Sequence, residues 1–213
     1  MTNWLDRKFE GYAITDAADQ WSPAYVSARD KFLSSLCQRD VSSVNRWKFY
    51  ILRVERRLRY MEAKHQPFRK LSGEDLVTLQ AILSTLISLR DSKIPELHTK
   101  TALIDHAART SLASTGTART WVEALLQKGV LKELTDPVIT SDKRKKFLYA
   151  SAATRIEFYK DCINEMLNHI SGVKKLFGEN SLQFRKEIEL FAAYDVLSPE
   201  EIFEFTSLNN PPD

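Results

Sequence analysis

Glycine, proline and cysteine are all scarce in this chain, at 6, 7 and 2 of 213 residues. So few turn-formers exclude a β-sandwich, whose short strands need turn signals about every 8–12 residues. They also leave no glycine-rich loop to cradle nucleotide phosphates. Cys37 and Cys162 lack the spacing of a metal-binding or redox pair, so they read as free thiols of a reducing compartment, buried as small apolar side chains. No apolar run reaches the ~18 residues of a membrane span. The opening MTNWLDRKFEGYAITDAADQW carries acids and lacks the apolar stretch of a signal peptide, so a cytoplasmic protein is expected. His65, His98, His106 and His169 form no HxxxH or HExxH pair, and no GxSxG, P-loop or GxGxxG pattern occurs. No residue argues for an enzyme, a metal or a cofactor.

Charge and helical periodicity are plentiful instead. With 43% apolar and 28% charged residues, a helix-rich chain of this length buries roughly 70% of its unfolded surface and needs no staple. The net charge of +3 is unevenly spread. From Gly178 onward eight acids stand against Arg185 and Lys186, a net −6, which leaves +9 on the 177 residues before it.

Residues 1–42 read as an irregular, weakly acidic arm followed by a helix that Ser22 and Pro23 start and that runs to about Cys37. Residues 43–92 read as two helices. In the first, Val44, Trp47, Ile51, Val54, Leu58 and Met61 repeat at alternating spacings of three and four, the stripe of a helix–helix seam. Its other faces carry a surplus of +5 from Arg46, Lys48, Arg53, Arg56, Arg57, Arg59 and Lys64 over Glu55 and Glu62. Pro67 ends it, and Ser72 with Asp75 forms a capping-box-like start for the next. That helix carries a wide apolar band of Leu76, Leu79, Ile82, Leu83, Leu86, Ile87 and Leu89, which places it deep in a core. Ser92–Lys100, containing Pro95, reads as a connector.

Residues 93–150 carry the functional argument. A helix over about Lys100–Arg109 places Leu103, Ile104 and Ala107 on one face. After a polar turn, Ser114 or Thr115 caps a second helix to about Lys128, with Ala118, Val122, Leu125 and Leu126 inward. Thr115, Thr117, Arg119 and Thr120 remain outward: short side chains around one long donor, the composition a helix needs to enter a major groove. Gly129 suits a left-handed stop. Val130–Leu134 and Lys146–Ala150 then read as a strand pair, with Phe147 and Tyr149 on one side. The loop between them carries Lys143, Arg144, Lys145 and Lys146, cations suited to a phosphate backbone. Helix, turn, helix and hairpin in this order make a winged helix-turn-helix.

Here the chain resembles the MarR family of winged helix-turn-helix transcription regulators. The resemblance is clearest over Thr99–Glu157, in ALIDHAA, TGTARTWVEALLQKGVL and SDKRKKFLYAS, where Asp142 and Arg144 match the family's Asp-x-Arg wing. The turn RTSLAST is longer and more polar than the family's. What the resemblance implies is a two-fold homodimer built through N- and C-terminal helices, repression of nearby genes, and release of DNA by a small aromatic effector or by thiol oxidation.

Residues 151–213 read as C-terminal helices over Ala152–Leu176, Ser181–Ala193 and Ser198–Phe205, ending acidic. Two readings of that end stand: a solvated outer face, or an acidic segment that docks on the basic helix at Arg53–Arg59 or competes with DNA. Trp47, Phe49, Tyr50, Tyr60, Trp121, Phe158 and Tyr159 are core aromatics or the lining of an effector cavity. The expectation is a mainly α-helical chain with a small β-hairpin, binding double-stranded DNA as a dimer. Arg119, Thr115, Thr117 and Thr120 would meet bases, Arg109, Ser111 and Ser114 phosphates, and Lys143–Lys146 the backbone beside the groove. A winged-helix protein-interaction scaffold, or a plasmid or phage replication or partition protein, fits the same residues.

Overall fold

A computed structural model of the chain describes residues 44–62, 72–90, 97–134 and 146–208. The expected arm and helix over 1–42, Cys37, and the loop cations Lys143, Arg144 and Lys145 lie outside the described residues. Within them the protein is mainly helical with one small antiparallel strand pair. The elements are α1 (Val44–Glu62), α2 (Gly73–Arg90), α3 (Lys100–Ser111), α4 (Thr115–Gln127), β1 (Leu131–Leu134), β2 (Phe147–Ala150), α5 (Ala152–Phe177), α6 (Leu182–Ala192) and α7 (Pro199–Leu208). Among the described residues no helix is long and apolar enough to cross a membrane. Two compact units emerge, one of residues 51–156 and one of residues 44–50 with 157–208.

The first unit is organised around α2. Ser72 and Asp75 form the expected reciprocal cap: the Asp75 N–H donates to Ser72 Oγ at 3.2 Å and the Ser72 N–H to the Asp75 carboxylate at 3.0 Å. Burial then extends beyond the apolar band, taking in Val77, Gln80, Ala81, Ser84, Thr85 and Ser88, because α3, α4 and β2 all pack against this helix. Ser84 and Thr85 donate their hydroxyls to the Ala81 carbonyl at 3.1 and 2.7 Å. Thr85 Oγ1 also accepts the Ala150 N–H at 3.0 Å, tying α2 to β2. Ser84 and Thr85 are tolerated in this core because their hydrogen bonds are made inside it.

Gly73, the first residue of α2, lies under the Trp121 ring of α4. A Cβ there would come within 2.2 Å of the ring, so the bare backbone is what lets α4 pack so close. At the other end of α4, Gly129 takes the left-handed φ of 70° that stops the helix, as expected.

The chain then pairs Leu131 with Ala150 and Leu134 with Phe147 in antiparallel register. The second edge of β2 is also occupied. Thr99 bridges Phe147, the Leu148 N–H donates to the His98 carbonyl at 2.8 Å, and the Lys100 N–H to that of Lys146 at 3.2 Å. The end of the expected connector Ser92–Lys100 is thus a strand-like edge partner. Phe147 and Tyr149 fall on one side of the strand as expected, and with both edges held and α2 behind, Leu148 and Ala150 are buried as well.

The expected stripe of α1 holds at Trp47, Ile51 and Val54, which are buried, and at Leu58 and Met61, which are half-buried. It fails at Val44, the first helical residue, which is 71% exposed.

In the second unit Phe49, Tyr50, Tyr159 and Tyr194 form a ring cluster, with centroids 5.3 Å apart for Phe49–Tyr50, 4.2 Å for Tyr50–Tyr159 and 5.3 Å for Phe49–Tyr194. Phe49, Tyr50 and Tyr159 are buried, so these rings serve as core. Cys162 is buried as well. Of the acidic end, Asp195 meets the start of α1: Asn45 Nδ2 donates to its carboxylate at 3.3 Å and Arg46 Nε to its carbonyl. Ser181 caps α6, accepting the Phe184 N–H at 3.1 Å. Ser198 and Glu201 cap α7 reciprocally, at 3.2 and 2.8 Å. Beside them, Glu200's own backbone N–H and the Ser198 hydroxyl hold its carboxyl below the usual carboxylate range.

Candidate nucleic-acid interface

The face that sequence reasoning singles out is built by α3, α4 and the three residues between them. Thr99 caps α3, accepting the Ala102 N–H at 3.2 Å, and Leu103, Ile104 and Ala107 are buried as expected. The helix runs to Ser111, two residues beyond the expected end, so the turn is shorter than RTSLAST suggests. It stops at Leu112, left-handed at φ 53°, and the Ala113 N–H returns to the Ala108 carbonyl at 3.1 Å. For a non-glycine residue that conformation costs on the order of 1–2 kcal/mol. The Leu112 side chain is 73% exposed, so burial does not compensate it.

Ser114 caps α4, accepting the Thr117 N–H at 3.0 Å. Ala118, Val122 and Leu125 are then buried, while Leu126 is half-buried. The helical period turns Thr115, Gly116, Thr117, Arg119 and Thr120 to the other side, and all five are exposed. Arg119 makes no hydrogen bond or ion pair among the described residues.

The surrounding cations are engaged. Lys100 pairs with Glu123 at 2.7 Å, Lys128 with Glu74 at 2.5 Å, and Lys146, nearest the expected basic loop, with Glu133 across the strand pair. Arg109 Nε donates to its own helix at Asp105 O, 3.3 Å away. Exposed pairs of this kind contribute little to stability. Arg119, on the outward face of α4, is unengaged among the described residues.

The hydroxyls are also directed. Ser111 is half-buried and donates its hydroxyl to Ala107 O at 2.6 Å. Thr120 donates to Gly116 O at 3.2 Å, and Thr117 Oγ1 lies 2.9 Å from Ser114 Oγ. Thr115 makes no side-chain hydrogen bond among the described residues and keeps a hydroxyl to offer.

Sequence reasoning missed Gly116. A Cβ there would meet nothing nearer than Ser114 Oγ at 3.6 Å, so the protein's own packing leaves room for a side chain. It also missed that the His98 and His106 rings, 8 residues apart in sequence, stack with centroids 5.9 Å apart. Neither carries a motif signal, since both depend on what surrounds the residue. No protein-family model matches the chain, and neither a curated protein nor a solved structure matches it. What the face offers is a helix packed from behind, a guanidinium unengaged among the described residues, short side chains around it and a bare patch of backbone.

Proposed function

We propose that residues 72–150 form a winged helix-turn-helix that binds double-stranded DNA, and that the protein is a homodimeric transcription regulator, a repressor of MarR-like type. The observation that carries this reading is the outward face of α4, where Arg119 is exposed among small side chains and unengaged among the described residues. An α-helix with its side chains is about 10–12 Å across and the major groove about 12 Å wide, so small residues decide how deep the helix sits. A guanidinium reaching past them can pair bidentately with guanine O6 and N7.

The order of elements supports the reading: α2 as the core helix, residues 98–100 as an edge on β2, then α3, α4 and the β1–β2 pair. Ser114, Thr115 and Arg109 serve phosphates. Lys143, Arg144 and Lys145 follow in the sequence directly before Lys146 and suit a wing contact. A homodimer finds support in apolar side chains left exposed on the C-terminal helices, with Leu176 at 78%, Leu182 at 62% and Leu190 at 54%.

The test is selection of bound duplexes from a random pool by the full-length protein, followed by titration at two salt concentrations. A two-fold symmetric consensus with half-sites about one helical turn apart is expected. Arg119→Ala lowers affinity for that consensus roughly 10- to 100-fold and relaxes its preference, whereas Lys145→Ala weakens all sequences alike and reduces the salt slope by about one. If no duplex binds even at low salt, the exposed leucines favour a protein-binding scaffold instead.

A further inference from the structure

We infer that α4 reads the C5-methyl group of a pyrimidine lying next to a guanine, an inference that rests on the DNA-binding reading above. A threonine offers a groove either its hydroxyl or its γ-methyl, and the hydrogen bonds on this face decide between them. The Thr120 hydroxyl donates its proton to the Gly116 carbonyl at 3.2 Å. Its γ-oxygen therefore lies against its own helix, and the γ-methyl is the heavy atom left to meet a partner. Thr117 is similar, because its γ-oxygen lies 2.9 Å from Ser114 Oγ, which already accepts the Thr117 N–H. The two hydroxyls close on each other at the cap, which engages the Thr117 oxygen there.

Helical geometry supplies the second half of the argument. Residues three and four positions apart are surface neighbours, so Gly116 borders both Arg119 and Thr120. With no side chain at Gly116 and nothing within 3.6 Å of where a Cβ would stand, the helix carries a shallow notch. The Gly116 backbone floors it, Ser114 Oγ is the nearest atom at 3.6 Å, and Arg119 and Thr120 are exposed at the helical positions next to it. That shape suits an apolar group the size of a methyl adjacent to a base that accepts two hydrogen bonds. In the major groove the pyrimidine C5-methyl is such a group, and guanine is such a base. Thymine and 5-methylcytosine both present the methyl.

The experiment uses the full-length protein and a duplex selected from the random pool, remade in two forms. In one, uracil replaces the thymines flanking the guanine, which removes a methyl and changes no hydrogen bond. In the other, the same positions are remade as cytosine and as 5-methylcytosine, a pair that differs by the same methyl. Each methyl lost should weaken binding about fourfold, the worth of one buried methyl, and each methylcytosine gained should strengthen it similarly. Thermal denaturation confirms that each variant is folded. Thr120→Ser, which keeps the hydroxyl, should erase the sensitivity, and Thr120→Val, which keeps the methyl, should retain it. Uracil bound as tightly as thymine overturns the inference, as does a Thr120→Ser protein that still discriminates, while DNA binding itself stands. Tighter binding of the methylcytosine form than of the thymine form identifies methylated cytosine as the natural source. Failure to bind any duplex at low salt overturns both readings.

Discussion

Thr85 and Thr120 make the same local hydrogen bond, each donating its hydroxyl to the carbonyl four residues back, at 2.7 Å to Ala81 and 3.2 Å to Gly116. Their surroundings separate them. Thr85 sits in α2, is 1% exposed, and its oxygen also accepts the Ala150 N–H at 3.0 Å. Thr120 sits in α4 and is exposed. In α2 the bond satisfies a hydroxyl that also completes a core contact between helix and strand. In α4 it withdraws a hydroxyl from solvent and leaves a methyl facing outward. One motif serves cohesion in one helix and surface chemistry in the other.

The largest effect is expected at Thr85. Thr85→Val keeps the shape and leaves the Ala150 N–H buried without an acceptor, which costs about 1–3 kcal/mol, read as a lowered midpoint in equilibrium urea unfolding. Gly116→Ala acts on the other helix and in the other direction. Nothing in the protein obstructs the new methyl, so helix propensity raises stability by about 0.5–1 kcal/mol, while filling the notch weakens binding to the selected duplex. Stability and affinity moving in opposite directions would mark the residue as functional; a fall in both would collapse the contrast between the helices. The smallest effect belongs to Thr120→Val. Valine and threonine have similar helix propensities and the site is exposed, so unfolding stability should change by less than about 0.5 kcal/mol. A loss at Thr120 as large as that at Thr85 would mean that the two threonines do the same work.

Legibility in the sequence followed the range of the interaction. The cap at Ser72 and Asp75, the caps at Ser114 and Ser198, the stop at Gly129 and the buried faces of α3 and α4 all rest on residues within a turn or two of each other, and each could be read directly. The pairing of residues 98–100 with β2 could not, because no local pattern distinguishes a connector from an edge strand whose partner lies about 50 residues away. The engagement of Lys128 by Glu74, 54 residues apart, was equally invisible. So was the turning of the Ser111 hydroxyl into its own helix, which depends on a rotamer rather than on a residue type.

The candidate site divides along the same line. Periodicity alone places Thr115, Thr117, Arg119 and Thr120 opposite Ala118, Val122 and Leu125, because a period of 3.6 with apolar residues on one side leaves the others no alternative. Tertiary structure decided which of those groups remain available. Cations that looked equivalent in sequence became paired or unengaged according to which acids folding brought near, leaving Arg119 without a partner among the described residues. Composition and spacing thus determined a mainly helical chain with one polar helix face. The direction of each hydroxyl, the covering of both edges of β2 and the open space at Gly116 followed from packing, since they depend on atoms supplied by distant parts of the chain.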